Sequence, residues 1–289
     1  MRWLVTGAGG QLGADLLRVL DGDAVDGRTR AELDITDPRA VSAALRGRDV
    51  VVNAAGWTDV DGAECDAAGA YAANATGPAV LAAACAAAGA VLVHVSTDYV
   101  FAGDATAPYA EDAPVSPPGA YGRTKASGER AVLDSAAPAY VVRTAWVYGA
   151  TGANFVKTMA RLERGRETLD VVDDQRGSPT WSRQLAAGLV ELARSGAPYG
   201  VYHCTNGGET TWCGFARAIF AELGADPDRV RPTSSAAFPR PAPRPAYSVL
   251  SEAKWRAAGL TPLPGWREAL AEAFESGAFV VPRSSTGER

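Results

Sequence analysis

Tyr121 and Lys125, in the stretch Tyr121-Gly-Arg-Thr-Lys125, form a pair whose residue types and spacing could do chemistry. On a helix, residues four apart share a face and can act as a unit. A free tyrosine titrates near 10. A neighbouring ammonium stabilises the phenolate, which makes the phenol a usable general acid for a carbonyl that is receiving a hydride. The bland alternative is two polar residues on a solvated helix face. With nine Tyr and three Lys in 289 residues, chance supplies such a pair about 0.1 times, so the choice depends on the company the pair keeps. The chain uses 25 Arg and only three Lys. At position 125 a planar, always charged fork would not replace a compact ammonium.

The elements that must position the pair read as alternating strands and helices. Arg2 to Thr6 is a short buried strand, and Gly7-Ala-Gly-Gly-Gln-Leu-Gly13 leads into an amphipathic helix from Ala14 to Leu20. Glycines in that place allow a tight turn and close approach of a pyrophosphate to the positive end of a helix. Ala24 to Asp26 reads as a second strand, with Arg28 and Arg30 just beyond it, and Leu33 to Pro38 as a strand end running into a helix. Val50 to Gly56 is a buried strand that ends in small residues. Ala63 to Ala88 is helical, interrupted near Asn74 to Pro78 and stopped by Gly89. Ala90 to Val95 is a strand that delivers Ser96-Thr97-Asp98 at its carboxyl end. A loop from Asp104 to Gly119 enters the Tyr121 helix, and Tyr140 to Thr144 is a further strand. The pattern predicts an α/β fold: a Rossmann-type, doubly wound parallel sheet with ligands outside the carboxyl ends of its strands.

Residues 1–149 read as the dinucleotide-binding domain and 150–289 as a smaller substrate-binding lobe interleaved with it. In the second part Asn154–Arg164, Trp181–Arg194, Thr211–Leu223 and Trp266–Glu275 read as helices and Val201–Cys204 as a strand. Phe238–Pro245 is an extended, proline-fixed loop, and Ser284–Arg289 a frayed tail.

The net charge of -5 and the absence of a basic run give no footprint for nucleic acid or an anionic membrane. Cys65, Cys85, Cys204 and Cys213 lack metal or redox spacing and read as reduced thiols of a cytoplasmic protein. The chain opens straight into a strand, without the apolar region of a signal peptide. Pro78 to Val95, the longest apolar segment, carries His94 and Gly89, so it reads as a buried helix and strand rather than a membrane span.

Together the glycine loop, Thr97 at the end of the fourth strand and the Tyr121/Lys125 pair resemble the extended short-chain dehydrogenase/reductase family. The resemblance is to its reductases of dTDP-linked 4-keto-6-deoxyhexoses, and it covers nearly the whole chain. It is carried by Asn53-Ala-Ala-Gly-Trp-Thr-Asp, Ser96-Thr-Asp-Tyr-Val-Phe101, Tyr121-Gly-Arg-Thr-Lys125, Arg143-Thr-Ala-Trp-Val-Tyr-Gly149 and Asp174-Gln-Arg-Gly-Ser-Pro-Thr180. The resemblance implies catalysis by Tyr121, Lys125 and Thr97, the last bonding the substrate carbonyl. It implies a cofactor, NADPH or NADH, lined by Gly7, Gly10, Gln11, Leu12, Gly13, Asp34, Ile35, Gly56, Trp57 and Thr58, with Lys125 also on the nicotinamide ribose. Asp98 and Trp146 would contact the sugar nucleotide, and Arg176 its diphosphate. Some relatives pair through a Mg2+-bridged homodimer held by acidic residues. Asp15 fits that pattern and Arg183 departs from it, which sets the metal against the charge and leaves the homodimer open.

Each assignment has a plainer competitor. Trp146 could be core packing, Arg176 a solvated charge, Asp26 and Asp34 turn caps, and His94 a satisfied core histidine. At the level of function, a sugar-nucleotide epimerase would use the same trio with NAD that is never consumed. A non-catalytic dinucleotide-sensing subunit could use the same fold. A 4,6-dehydratase resembling this family would carry an acid directly after Asp98, where this chain has Tyr99.

Overall fold

Short runs of β-branched and apolar residues, too short to be core helices, form the centre of the molecule as strands. The computed structural model describes residues 1–279. Six strands, β1 (Arg2–Thr6), β2 (Ala24–Arg28), β3 (Val50–Asn53), β4 (Val91–Thr97), β5 (Ala139–Thr144) and β6 (Gly200–His203), form one sheet in the order β6-β5-β4-β3-β1-β2. Every neighbouring pair is parallel. Parallel pairing needs crossovers, and these are helices. The chain winds from β1 outward to β2, then returns past β1 to β3, so the topological switch lies between the carboxyl ends of β1 and β3.

Alternation along the strands divides the core. Trp3, Val5, Val52, Val93 and Val142 face α1 (Gln11–Val19) and α6 (Ser182–Ser195), while Leu4, Val51, Leu92 and Val141 face α2 (Pro38–Ala44), α3 (Gly77–Ala88) and α4 (Ala120–Leu133). A third core belongs to the second lobe, where α5 (Phe155–Gly165), α7 (Trp212–Glu222) and α8 (Trp266–Glu275) pack around Trp181 and Phe215. α6 packs on α1 and β6 completes the main sheet, although both follow residue 150.

Four local readings are corrected. β2 runs two residues past Asp26 to Arg28, because Gly27 lets the strand continue where an added Cβ would lie 2.8 Å from a Leu17 methyl. Leu33 to Asp37 is a turn rather than a strand end, since Asp34 Oδ1 accepts from the backbone N–H of Thr36 at 2.9 Å and from its hydroxyl at 2.7 Å. β3 stops at Asn53, whose side-chain oxygen accepts from Ala55 N–H and turns the chain. The helical run after Ala63 is several pieces: Gly62–Cys65, Ala67–Tyr71 capped by Asp66, a π-helical turn at Ala72–Thr76, and α3 ending at left-handed Gly89. The expected tail, Ser284–Arg289, lies outside the described residues.

Candidate active site

The switch point is built by backbone that approaches backbone. Gly7, at φ +71°, sits where an added Cβ would meet Ala55 N at 2.6 Å, and a Cβ on Gly13 would meet the Gly7 carbonyl oxygen at 2.2 Å. Only glycine satisfies both contacts. α1 therefore starts directly behind β1, with Gly10 as its N-cap and no side chain bonded to its first N–H groups. Those free donors and the dipole suit a pyrophosphate. Leu12 turns its side chain into the core, so only its backbone faces the loop side, while Gln11 accepts from Asn154 Nδ2 at 3.0 Å and ties the loop to the second lobe.

Across the switch, Gly56, Trp57 and Thr58 form the opposing turn. Asn74, fully buried in the π-helical turn, fixes it: its Oδ1 accepts from Trp57 N–H at 2.9 Å, and its Nδ2 donates to the Trp57 carbonyl and to Thr124 Oγ1, both at 3.1 Å. One amide thus joins the turn to α4 beside Lys125. Sequence reasoning missed Asn74 as a site residue, although the interruption around it was visible. Ile35 is buried against Gly77, and exposed Asp34 is engaged in its turn.

α4 carries the catalytic candidates, and its entry is capped from afar, since Glu64 Oε1 accepts from Ala120 N–H at 2.7 Å. The preceding loop is zipped onto the second lobe, with Tyr109 N–H bonded to the Val249 carbonyl and Ser251 N–H to the Tyr109 carbonyl. Gly122 and Gly128 let α4 press on the backbone of Tyr99 and Asn74, where Cβ atoms would lie 2.2 and 2.0 Å from the two carbonyl oxygens. Tyr121 and Lys125 consequently face the end of β4.

There Thr97 Oγ1 donates to Asp98 Oδ1 at 2.9 Å and accepts from Tyr99 N–H at 3.2 Å. Burial pushes the Tyr121 phenol up to about 12, partly offset by the Thr97 hydroxyl. This differs from the expected lowering by Lys125. The Lys125 ammonium donates to the Val95 carbonyl at 2.7 Å instead of acting on the phenol, and burial lowers it to about 8 while Glu129 works against that fall. Asp98, 2% exposed, is raised by burial to about 6 against the Ser248 and Thr97 hydroxyls. The Tyr99 ring meets the Tyr121 ring edge-on at 5.7 Å.

The two outlying candidates are held elsewhere. Trp146, at φ +46°, stacks its indole on Trp212 at 3.5 Å and leaves no room for a side chain at Gly177. Arg176 pairs with Glu209 at 3.0 Å and is about half exposed. Trp212 was not anticipated. Asp26 is bracketed by Arg28 at 2.8 Å and Arg48 at 2.6 Å. Asp15 is buried, bonded to Arg18 and to the Ser182 hydroxyl. Among the described residues no group of three or more His, Cys, Asp or Glu could hold a metal ion, and no helix is long and apolar enough to cross a membrane. His94 accepts from Asn53 Nδ2 at 3.0 Å through its Nδ1, and burial holds it neutral. All four cysteines are free thiols.

A doubly wound parallel sheet with a glycine turn at its switch point, and a Tyr/Lys pair on a helix facing a threonine at a strand end, define a Rossmann-type member of the extended short-chain dehydrogenase/reductases. More particularly, the chain belongs to the family described as RmlD substrate binding domain, which matches residues 1–278. It is 54% identical over 282 residues to a dTDP-4-dehydrorhamnose reductase of Streptomyces griseus, covering 94% of this chain and 93% of that one. It is 51% identical over 278 residues to a dTDP-4-keto-6-deoxy-D-glucose reductase of Streptomyces niveus, covering 94% and 96%. The crystal structure of a Bacillus anthracis dTDP-4-dehydrorhamnose reductase in complex with NADP superposes with a TM-score of 0.92 at 37% identity, covering 95% and 99%.

Proposed function

We propose that this protein reduces the 4-keto group of a dTDP-linked 6-deoxyhexose, with hydride taken from NADPH or NADH. The observation that carries the reading is the convergence of Thr97, Tyr121 and Lys125 at the carboxyl end of β4, beside a turn and a glycine loop that fit a dinucleotide. The names of the relatives agree on a dTDP-linked 4-ketosugar and differ on the sugar.

The fit of the cofactor rests on Gly7, Gly10 and Gly13, on the uncapped start of α1, and on the Gly56 to Thr58 turn held by Asn74. Once bound, the cofactor supplies a hydride to the carbonyl carbon. Thr97 donates its hydroxyl to the carbonyl oxygen, which requires that proton to turn away from Asp98. Tyr121 gives its proton to the same oxygen as charge develops there. Lys125, one turn along α4 and next to the Gly56 turn, would hold the ribose hydroxyls. Asp98 and Trp146 would bound the sugar, with Arg176 further out toward the diphosphate.

Arg28 ends β2 beside the glycine loop, its carbonyl accepting from Ala8 N–H at 3.0 Å. Asp26 has its charge offset by Arg28 and Arg48, so a 2′-phosphate meets little repulsion there. NADPH is therefore the preferred cofactor and NADH remains usable.

The test is to supply purified protein with dTDP-4-keto-6-deoxyhexoses and each reduced cofactor, follow the absorbance of the nicotinamide, and identify the product sugar. Oxidation of one cofactor per sugar reduced supports the reading. Tightly bound NAD that is never consumed, with an epimerised sugar as product, would replace it with the epimerase.

A further inference from the structure

Lys125 and Glu129 lie one turn apart on the buried face of α4, 5% and 3% exposed. Residues so spaced on a helix are neighbours and can pair, but here both carboxylate oxygens of Glu129 are taken by Arg143 of β5. Arg143 Nε donates to Oε1 at 3.0 Å and Nη2 to Oε2 at 2.7 Å. Arg143 is itself fixed: Nη1 donates to the Glu111 carbonyl at 3.1 Å, and the guanidinium lies 4.9 Å from the centre of the Phe101 ring. Lys125 Nζ is left on the Val95 carbonyl at 2.7 Å, close to the Gly56 turn.

Several ionisable groups surround Lys125. On its own helix are Tyr121 and Glu129. β4 contributes neutral His94, and β5 contributes Arg143 behind Glu129. The turn after β4 brings Asp98 and Tyr99, and the Gly62–Cys65 turn brings Glu64, which is engaged with Ala120 N–H. Among these, Glu129 is the group whose charge favours the ammonium.

We propose that Glu129 is a positioning residue for the reduction: clamped by Arg143, it keeps Lys125 charged through its field while leaving the ammonium free to face the cofactor turn. Without the clamp the ammonium would be drawn along α4 toward the carboxylate. Without the carboxylate, burial would strip its proton near neutral pH. The inference rests on the role given to Lys125 above.

The chain has three lysines, Lys125, Lys157 and Lys254, so protein labelled with carbon-13 at the lysine ε position gives three resonances, and Lys125→Met assigns one. Titrated without cofactor, the Lys125 signal should move to a lower midpoint in Glu129→Gln by at least about one pH unit, the size expected for an opposite charge within ~4–6 Å. The alkaline limb of kcat/KM should shift the same way, because the active ammonium is lost as pH rises through its pKa. Glu129→Asp keeps the charge and draws it back by one methylene, so its midpoint should fall between the two. A midpoint unchanged in a folded Glu129→Gln protein overturns the proposal. If that variant does not fold, an unchanged midpoint in Glu129→Asp does so. The titration needs no sugar substrate, so a failure of the proposed reaction would show in the assay and not in this measurement.

Discussion

Tyr121 can serve as the proton donor even though burial holds its phenol near 12, because the acceptor is an oxygen becoming an alkoxide. A hydroxyl of that type is a far weaker acid than a phenol, so the transfer runs downhill and the phenol stays protonated until it is needed. Tyr121→Phe should then lower kcat by about 10²- to 10⁴-fold, the usual share of general acid catalysis, with cofactor affinity nearly unchanged. Retention of half the turnover where chemistry limits the rate would remove Tyr121 from the mechanism. Lys125→Arg should be similarly impaired, since a planar fork cannot take the place of a compact ammonium on the Val95 carbonyl. The proposed preference for NADPH is tested at the same scale. The double variant Arg28→Ala/Arg30→Ala loses guanidinium donors and leaves Asp26 offset by Arg48 alone. The ratio of kcat/KM for NADPH over NADH should fall at least about tenfold, roughly one charge-assisted hydrogen bond. An unchanged ratio would show that neither arginine reaches the phosphate.

Among the elements, α4 is placed by the glycines that let it sit down on its neighbours. Gly128 lies in the interior of α4, where replacement by alanine ordinarily stabilises by about 0.5–1 kcal/mol. Here the new Cβ would meet the Asn74 carbonyl oxygen at 2.0 Å, so α4 must lift from the π-helical turn and the sign should reverse. Gly128→Ala is expected to cost about 1–3 kcal/mol as an overpacked contact and to reduce kcat more than it changes KM, as Lys125 moves with the helix. Thermal melts with steady-state kinetics check this, and a stabilised variant would show that the contact is loose. The contrast explains what was legible in the sequence. β1, the glycine turn, β4 with Thr97, and α4 with its Tyr/Lys spacing are local patterns, visible from periodicity and punctuation. Asn74 bonded to Trp57 and Thr124, Glu64 capping α4, Arg48 reaching Asp26, and Trp212 stacked on Trp146 join residues distant in the chain, and no local pattern announces them. β2 reads short in the sequence for a related reason: Gly27 looks like punctuation, while the fold uses it to make room for Leu17.

For the whole molecule, the buried ionisable groups set how the fold responds to acid. His203 is 1% exposed, and burial, then the Arg143 charge, hold it down to about 3, while His94 is held well below its ordinary value by burial and Lys125. In the unfolded chain both bind a proton below about 6.5, so the unfolded state takes up more protons and stability falls as the pH drops through that value. Asp98 acts in the opposite sense, because a carboxyl raised to about 6 keeps in the fold a proton that the unfolded chain gives up down to about 3.9. Glu111, also raised by burial, joins Asp98 in opposing the two histidines, so acid lowers stability first as the unfolded histidines take up protons below about 6.5. His203→Gln removes one of the two uptake sites and keeps a polar side chain in the cavity beside Glu111. Urea midpoints measured at several pH values below about 6.5 should fall with acid in the wild type, and fall less steeply in the variant. Equal slopes for the two proteins would show that His203 is already protonated in the fold, and would count against a neutral buried imidazole at the carboxyl end of β6.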